Sequence, residues 1–228
     1  TSPREVITRV GKMEVKKSVV MPTLKKHVIN ENTNGHGMGF GDINNDGRED
    51  IIFGQGWHER PSGKVLDQPW KLHLDWPYLH ASVPVFVRDL NGDGKNDLIW
   101  GKGHDYGLFW WESLGIVDGK FTWKEHVIDR SYSQPHTLHF ADLDGDGKDE
   151  LITGKRFHAH NGKDPGGREK PCLYYYTWDT KKLTFTRTVI NEGRVGCGLQ
   201  IACADLNGDG TLDIAVAGKS GTYICFNK

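Results

Sequence analysis

The chain has 228 residues, with 29 Lys+Arg against 30 Asp+Glu and a formal net charge of -1. A protein that binds nucleic acid by neutralising phosphates carries a basic surplus, which this one lacks, and no run of about 18 apolar residues could span a membrane as a helix. Hydrophobic residues at 36% suffice for a core, while 29 glycines and 9 prolines break up helical stretches and point to short strands joined by tight turns.

In chain order, REVITRV and MEVKKSVV open as strand-like runs. Four gapless copies of one unit follow: GDINNDGREDIIFGQG from Gly41, RDLNGDGKNDLIWGKG from Arg88, ADLDGDGKDELITGKR from Ala141 and ADLNGDGTLDIAVAGK from Ala204. Their leading aspartates are 47, 53 and 63 residues apart. A period near 50 with short β-runs is the signature of propeller blades. In each unit the run before the aspartate, such as QPHTLHFADL, reads as an inner strand. The run after the motif (DIIFG, DLIWG, ELITG, DIAVAG) reads as the second. YGLFWWES, PCLYYYTW and GTYICF supply a third, and FTWKEHVID and FTRTVIN a fourth. Trp110, Trp111, Tyr174, Tyr175 and Tyr176 are expected to pack between blades.

The expectation is an all-β propeller of four-stranded blades forming a single domain over 1–228, with units near 27–74, 75–128, 129–190 and 191–228. Length over period allows four to five blades, or part of a larger ring. The last unit stops after its third strand, and residues 1–26 are candidates to complete it. The four cysteines (Cys172, Cys197, Cys203, Cys225) show no C-x-x-C spacing, which argues against a zinc ribbon or a thioredoxin-type site.

The acidic motif D-x-[DN]-x-D-G-x-x-[DE] offers oxygens at positions 1, 3, 5 and 9 and a backbone carbonyl at position 7. Calcium takes 6–8 oxygen ligands, and such a loop wraps them around one ion. The ligand sets are Asp42, Asn44, Asp46, Arg48 and Asp50; Asp89, Asn91, Asp93, Lys95 and Asp97; Asp142, Asp144, Asp146, Lys148 and Glu150; and Asp205, Asn207, Asp209, Thr211 and Asp213. Up to four Ca2+ ions with a structural role are expected. Loops of this kind fill at the millimolar calcium found outside cells, which points to an extracellular or periplasmic protein. Position 12 is Phe53, Trp100, Thr153 or Val216 inside a strand, so these are not EF-hands.

Histidines repeat in phase with these loops. His36 and His136 lie six residues before the leading aspartates, His58 and His158 eight after the closing acids, and His104 seven after. Six residues of strand span about 20 Å, the height of a blade, so both offsets are expected to reach the mouth opposite the loops. Gln55, Lys102, Lys155 and Lys219 share that phase, with Asp105, Arg156 and His160 nearby. The longest insertions, 56–70 and 156–171, are expected to leave from the same end and wall a pocket. His27, His73, His126 and His139 read as structural. His36 and His136 are the candidate ligands for one Zn2+ or similar ion. His104 or His158 is the candidate proton acceptor, and Lys102, Lys155 or Lys219 would stabilise an enolate or hold a carboxylate. Gln55, His58, Asp105, Arg156, His160 and Lys219 are the candidate substrate contacts.

The four motifs resemble the FG-GAP (VCBS-type) calcium-loop repeats of integrin-like and lectin-like propellers, over about residues 27–226. GHGMGFGD, HASVPVFVRD, GKGHDYGLFWWE, SQPHTLHFADLDGDG and GKRFHAHNG also resemble the propeller portion of aldos-2-ulose dehydratase-like proteins. That resemblance implies divalent-metal-assisted dehydration of keto-sugars, and further domains or chains completing the assembly. Three readings stand: a metal-assisted carbohydrate lyase or dehydratase, a non-catalytic lectin or adhesion module, and a purely structural fragment of a larger propeller assembly. The polar groups differ from blade to blade, with Leu199 and Ser220 in the fourth where others carry His, which favours one central site.

Overall fold

The computed structural model describes residues 3–10, 13–20, 24–31, 37–77 and 80–228. It divides into two compact units, Thr1–Asn32 and Thr33–Lys228. In the first, β1 (Pro3–Val10) and β2 (Met13–Val20) pair antiparallel. The second holds four antiparallel sheets. Blade one is β3 (Met38–Gly41), β4 (Asp50–Phe53), β5 (Gly56–Glu59) and β6 (Lys71–His73). Blade two is β7 (Phe86–Arg88), β8 (Asp97–Gly101), β9 (Tyr106–Val117) and β10 (Lys120–Ser133). Blade three is β11 (Pro135–Ala141), β12 (Glu150–Lys155), β13 (Cys172–Asp179) and β14 (Thr184–Glu192). Blade four is β15 (Ile201–Ala204), β16 (Asp213–Gly218) and β17 (Gly221–Cys225).

Strands follow sequence order within every sheet, so each is a meander whose neighbours in the chain are neighbours in hydrogen bonding. Four such sheets make a four-blade propeller arrangement. Among the described residues there is no α-helix, and no helix long and apolar enough to cross a membrane.

Strand alternation glues the blades together. Successive side chains point to opposite faces, so Trp111 joins Ile52, Trp57, Val85 and Leu98 in a core between blades one and two. Its neighbour Trp110 faces the other way, with Ile99, Leu138, Tyr174 and Tyr176 between blades two and three. Tyr175 then turns to the third core, with Ile152, Leu173, Ile201 and Val216. The aromatic residues expected between blades are found there. Trp57 is fully buried, stacks on His73 at 4.0 Å and donates to Asp75 Oδ2 at 2.8 Å. Large aromatic side chains in such positions contribute on the order of 3–5 kcal/mol. His126 repeats the arrangement on Trp110 at 4.2 Å, so both histidines are structural, as expected. Close blade contact also needs glycine: a Cβ on Gly39 would lie 1.9 Å from the Val85 carbonyl oxygen.

Every acidic loop joins the end of an inner strand to the start of the second. The opposite end of each blade is therefore formed by the start of the inner strand and the end of the second, as the Pro135↔Lys155 register shows. This end is the mouth. One expected insertion is not there. The second strand of blade one turns back at once, β5 begins at Gly56, and the segment after Glu59 lies at the acidic-loop end. Arg60 N donates to Asp50 Oδ1 at 2.8 Å and Arg48 Nε to the Arg60 carbonyl at 2.9 Å. Of the two, 156–171 emerges at the mouth.

Candidate functional site

The four acidic loops share one hydrogen-bond pattern. Each leading carboxylate receives the backbone N–H of the position-6 glycine, at 2.7 Å for Asp42, 2.9 Å for Asp89 and 3.0 Å for Asp142 and Asp205. Those glycines sit at φ of 82 to 89°, where a side chain is strained although the space beside them is open. The closing acids Asp50, Asp97, Glu150 and Asp213 are buried and accept from Ile43, Leu90, Leu143 and Leu206 N–H at 2.8–3.1 Å. A second oxygen of Asp97 and of Asp213 takes the N–H of Ser113 and Asn227, so the acid also ties down the third strand. This lock was not evident from ligand spacing alone. Burial pushes the Asp50 carboxyl up to about 6.

The donor set suits calcium. Asp142, Asp144 and Asp146 each present an oxygen within 4.8 Å of the others. The remaining loops hold asparagine at the middle position, which lowers their charge by one. Lys95 and Lys148 reach back to Asp93 and Asp146 at 3.2 and 3.4 Å, a partial compensation for crowded negative charge.

At the mouth, the loop 156–171 crosses from blade three towards blade two. A Cβ on Gly166, at φ +64°, would lie 2.4 Å from Ser133 Oγ and 2.6 Å from the Tyr106 hydroxyl. Tyr106 donates to Glu169 in the same loop. This docking brings Asp164 against His104, 60 residues away in sequence: His104 Nδ1 and Asp164 Oδ2 are 3.0 Å apart. His160 Nδ1 meets Asp164 Oδ1 at 3.0 Å, and the two imidazoles stack at 4.7 Å. One ligand atom from each of His104, His160 and Asp164 falls within a single 4.8 Å group. His80 and His136 flank His104 edge-on at 5.7 and 5.6 Å.

The support beneath is continuous. Gln134 is fully buried and donates to Asp164 Oδ2 at 3.3 Å. Lys155, 1% exposed, reaches Gln134 Oε1 at 3.4 Å and the Arg156 carbonyl at 3.2 Å. Arg156 donates to the Gly103 carbonyl at 2.9 Å and lies 3.7 Å from Asp164. Burial pushes the Asp164 carboxyl up, but hydrogen bonds from His160 and His104 outweigh it and hold the group below the usual range. Burial lowers the Lys155 ammonium. Seven non-glycine residues among those described have positive φ, and four of them (Gln134, His158, His160, Asn161) are at this mouth. Strain of this kind persists where surrounding structure enforces it, often at functional sites.

A cleft of about 620 Å³ opens beside the cluster, between the 156–160 segment and the mouth end of blade four. Arg156, Phe157, His160, Leu199 and Lys219 line it.

The structure thus gathers His104, His136, Arg156 and His160 at one mouth, with His158 and Lys219 beside them. Lys102 stays near, 3.7 Å from Asp105. Gln55 lies in the two-residue turn between β4 and β5, and Asp105 accepts the Tyr106 N–H at 2.8 Å. His36 lies outside the described residues. His58 is not at the mouth: β5 follows its turn directly, so the residue sits mid-sheet opposite Ile51, buried and stacked on Phe53 at 5.0 Å. Burial and the nearby His73 lower its imidazole. Lys155 cannot face a substrate, being enclosed under the cluster, and its role is support. Three members escaped the sequence reading. Asp164 and Gln134 have no counterpart in the repeat, and His80 is nine residues ahead of Asp89 rather than six. The His160/Asp164 spacing was the one available signal.

Residues 89–153, from the second acidic loop to the second strand of blade three, match the family model of the FG-GAP-like repeat. No curated protein matches the chain.

Proposed function

We propose that this chain, an FG-GAP β-propeller, is a calcium-stabilised, metal-assisted carbohydrate-active enzyme that eliminates water or an alcohol next to a sugar carbonyl or carboxylate. The observation carrying the reading is the convergence of His104, His160 and Asp164 at the edge of a cleft. Two imidazoles and a carboxylate suit zinc, manganese or iron(II), and three protein ligands leave positions open for substrate. The motif resemblance to aldos-2-ulose dehydratase-like propellers points the same way.

A bound divalent ion would supply Lewis acidity towards a substrate oxygen. The protein's own groups do the rest. Asp164 orients both imidazoles, and Gln134, Lys155 and Arg156 fix Asp164 from behind. His158 is exposed on the left-handed turn between Phe157 and Ala159, two residues that line the cleft, and is the imidazole assigned to take the proton from the carbon next to the carbonyl. The electron pair of that C–H bond becomes the new C=C bond, the C–O bond one carbon further breaks, and the departing oxygen leaves as water or an alcohol with the proton that the His158 imidazolium gives back. Lys219, whose Nζ donates to the His158 carbonyl at 3.2 Å, holds the loop and adds positive charge.

The test is turnover of keto-sugars and uronates by protein loaded with calcium and one transition-metal equivalent, followed by ultraviolet absorbance of the unsaturated product. His158→Ala is expected to lower kcat by about 10²–10⁴-fold, the usual worth of a positioned general base, with metal affinity unchanged. Full turnover in that variant removes the assignment of the base. Glycan binding with no turnover on any substrate instead leaves a binding module.

A further inference from the structure

Nothing in a metal-bearing mouth decides between a neutral and a charged sugar, but the cleft wall does. Its two cationic side chains are Arg156 and Lys219, its one imidazole is His160, and no carboxylate lines it among the described residues. Arg156 is committed to Gly103 and Asp164. Lys219 is not committed to an acid. It is exposed, and among the described residues its ammonium is met by the His158 carbonyl alone. Phe157 and Leu199, 40% and 64% exposed, give the same cleft apolar surface.

The opposite end of the same pair of blades is the reverse. A smaller hollow there, between blades three and four, is lined by Asp144 and Glu150 together with apolar side chains. The two hollows thus differ in lining charge: carboxylates line the one at the loop end, and cationic side chains line the one at the mouth. A cleft of about 620 Å³ lies within the range of small-molecule sites, roughly 300–1,000 Å³, which admits a mono- or disaccharide.

We infer that the mouth binds a sugar acid, with the carboxylate on the Lys219 ammonium and the sugar ring against Phe157 and Leu199. This deepens the preceding reading, and rests on it for the chemistry that follows binding. A carboxylate held by a lysine and facing a divalent ion has its charge partly neutralised, which is what makes the hydrogen on the adjacent carbon removable.

Isothermal titration of the calcium- and zinc-loaded protein with D-glucuronate and D-galacturonate, against D-glucose and D-galactose, tests this. The acids are expected to bind at least about tenfold more tightly than the neutral sugars. Lys219→Ala is expected to remove that preference, costing about 10–100-fold for the acids as a charge-assisted hydrogen bond is lost, while Lys219→Arg retains most of it. Thermal midpoints of the variants within error of the parent show that folding is intact. Equal affinity for acids and neutral sugars overturns the inference, as does an acid preference that survives Lys219→Ala. The two readings fail separately. Lys219-dependent uronate binding without turnover sinks the catalytic reading and keeps this one, whereas turnover of neutral keto-sugars without uronate binding does the opposite.

Discussion

Stripping calcium with a chelator is expected to lower the melting midpoint by about 12–24 °C. Each loop packs two or three carboxylates into a few ångströms, and the oxygens of Asp142, Asp144 and Asp146 lie within 4.8 Å of one another. With calcium at ten times the dissociation constant, each filled site stabilises by about 1.4 kcal/mol. Four sites contribute roughly 6 kcal/mol, comparable with the 5–15 kcal/mol by which domains are stable at all. At about 2–4 °C per kcal/mol for a chain of this length, the stated shift follows. The third loop should bind most tightly, since it has four acids at its ligand positions where the others have three. Scanning calorimetry with and without chelator measures the shift, with magnesium as the control ion. A midpoint indifferent to calcium would mean that the Asx-turn hydrogen bonds alone hold these loops.

Asp164→Asn is expected to weaken transition-metal binding by at least about 100-fold and to abolish turnover in proportion, with calcium-dependent stability unchanged. Loss of outer partners of metal ligands already costs about 10–100-fold, and here the change removes a charged ligand and the group that orients His104 and His160 together. The amide keeps the shape and one acceptor, in a loop held by Tyr106, Glu169 and Gly166, so folding should survive. Cobalt(II) absorption gives the affinity directly. Unchanged affinity would place the ion, if one binds, elsewhere.

What was legible in the sequence followed from periodicity. A motif repeated four times with its glycine in place predicts the loop, the strand on each side and therefore the blade, and the aromatic pair Trp110–Trp111 divides between two cores because a strand alternates faces. The same logic located one end of each inner and second strand, hence His104, His136 and Lys219. It failed where connection length varies. His58 and His158 share an offset from their closing acids, but blade one turns back after two residues while blade three sends out a long loop, so one histidine is interior and the other is at the mouth. Asp164 and Gln134 were not foreseen for a related reason: a loop that docks onto the neighbouring blade has no counterpart in the repeat.

His104, His160 and Asp164 are expected to hold one transition-metal ion distinct from any calcium in the acidic loops. The most direct measurement is a zinc titration of calcium-saturated protein, in parallel with a variant carrying both His104→Ala and His160→Ala. One zinc per chain is expected in the parent, with calcium content undisturbed, and none in the variant. Zinc binding that is absent in the parent, or equal in both proteins, would overturn the assignment of these three ligands.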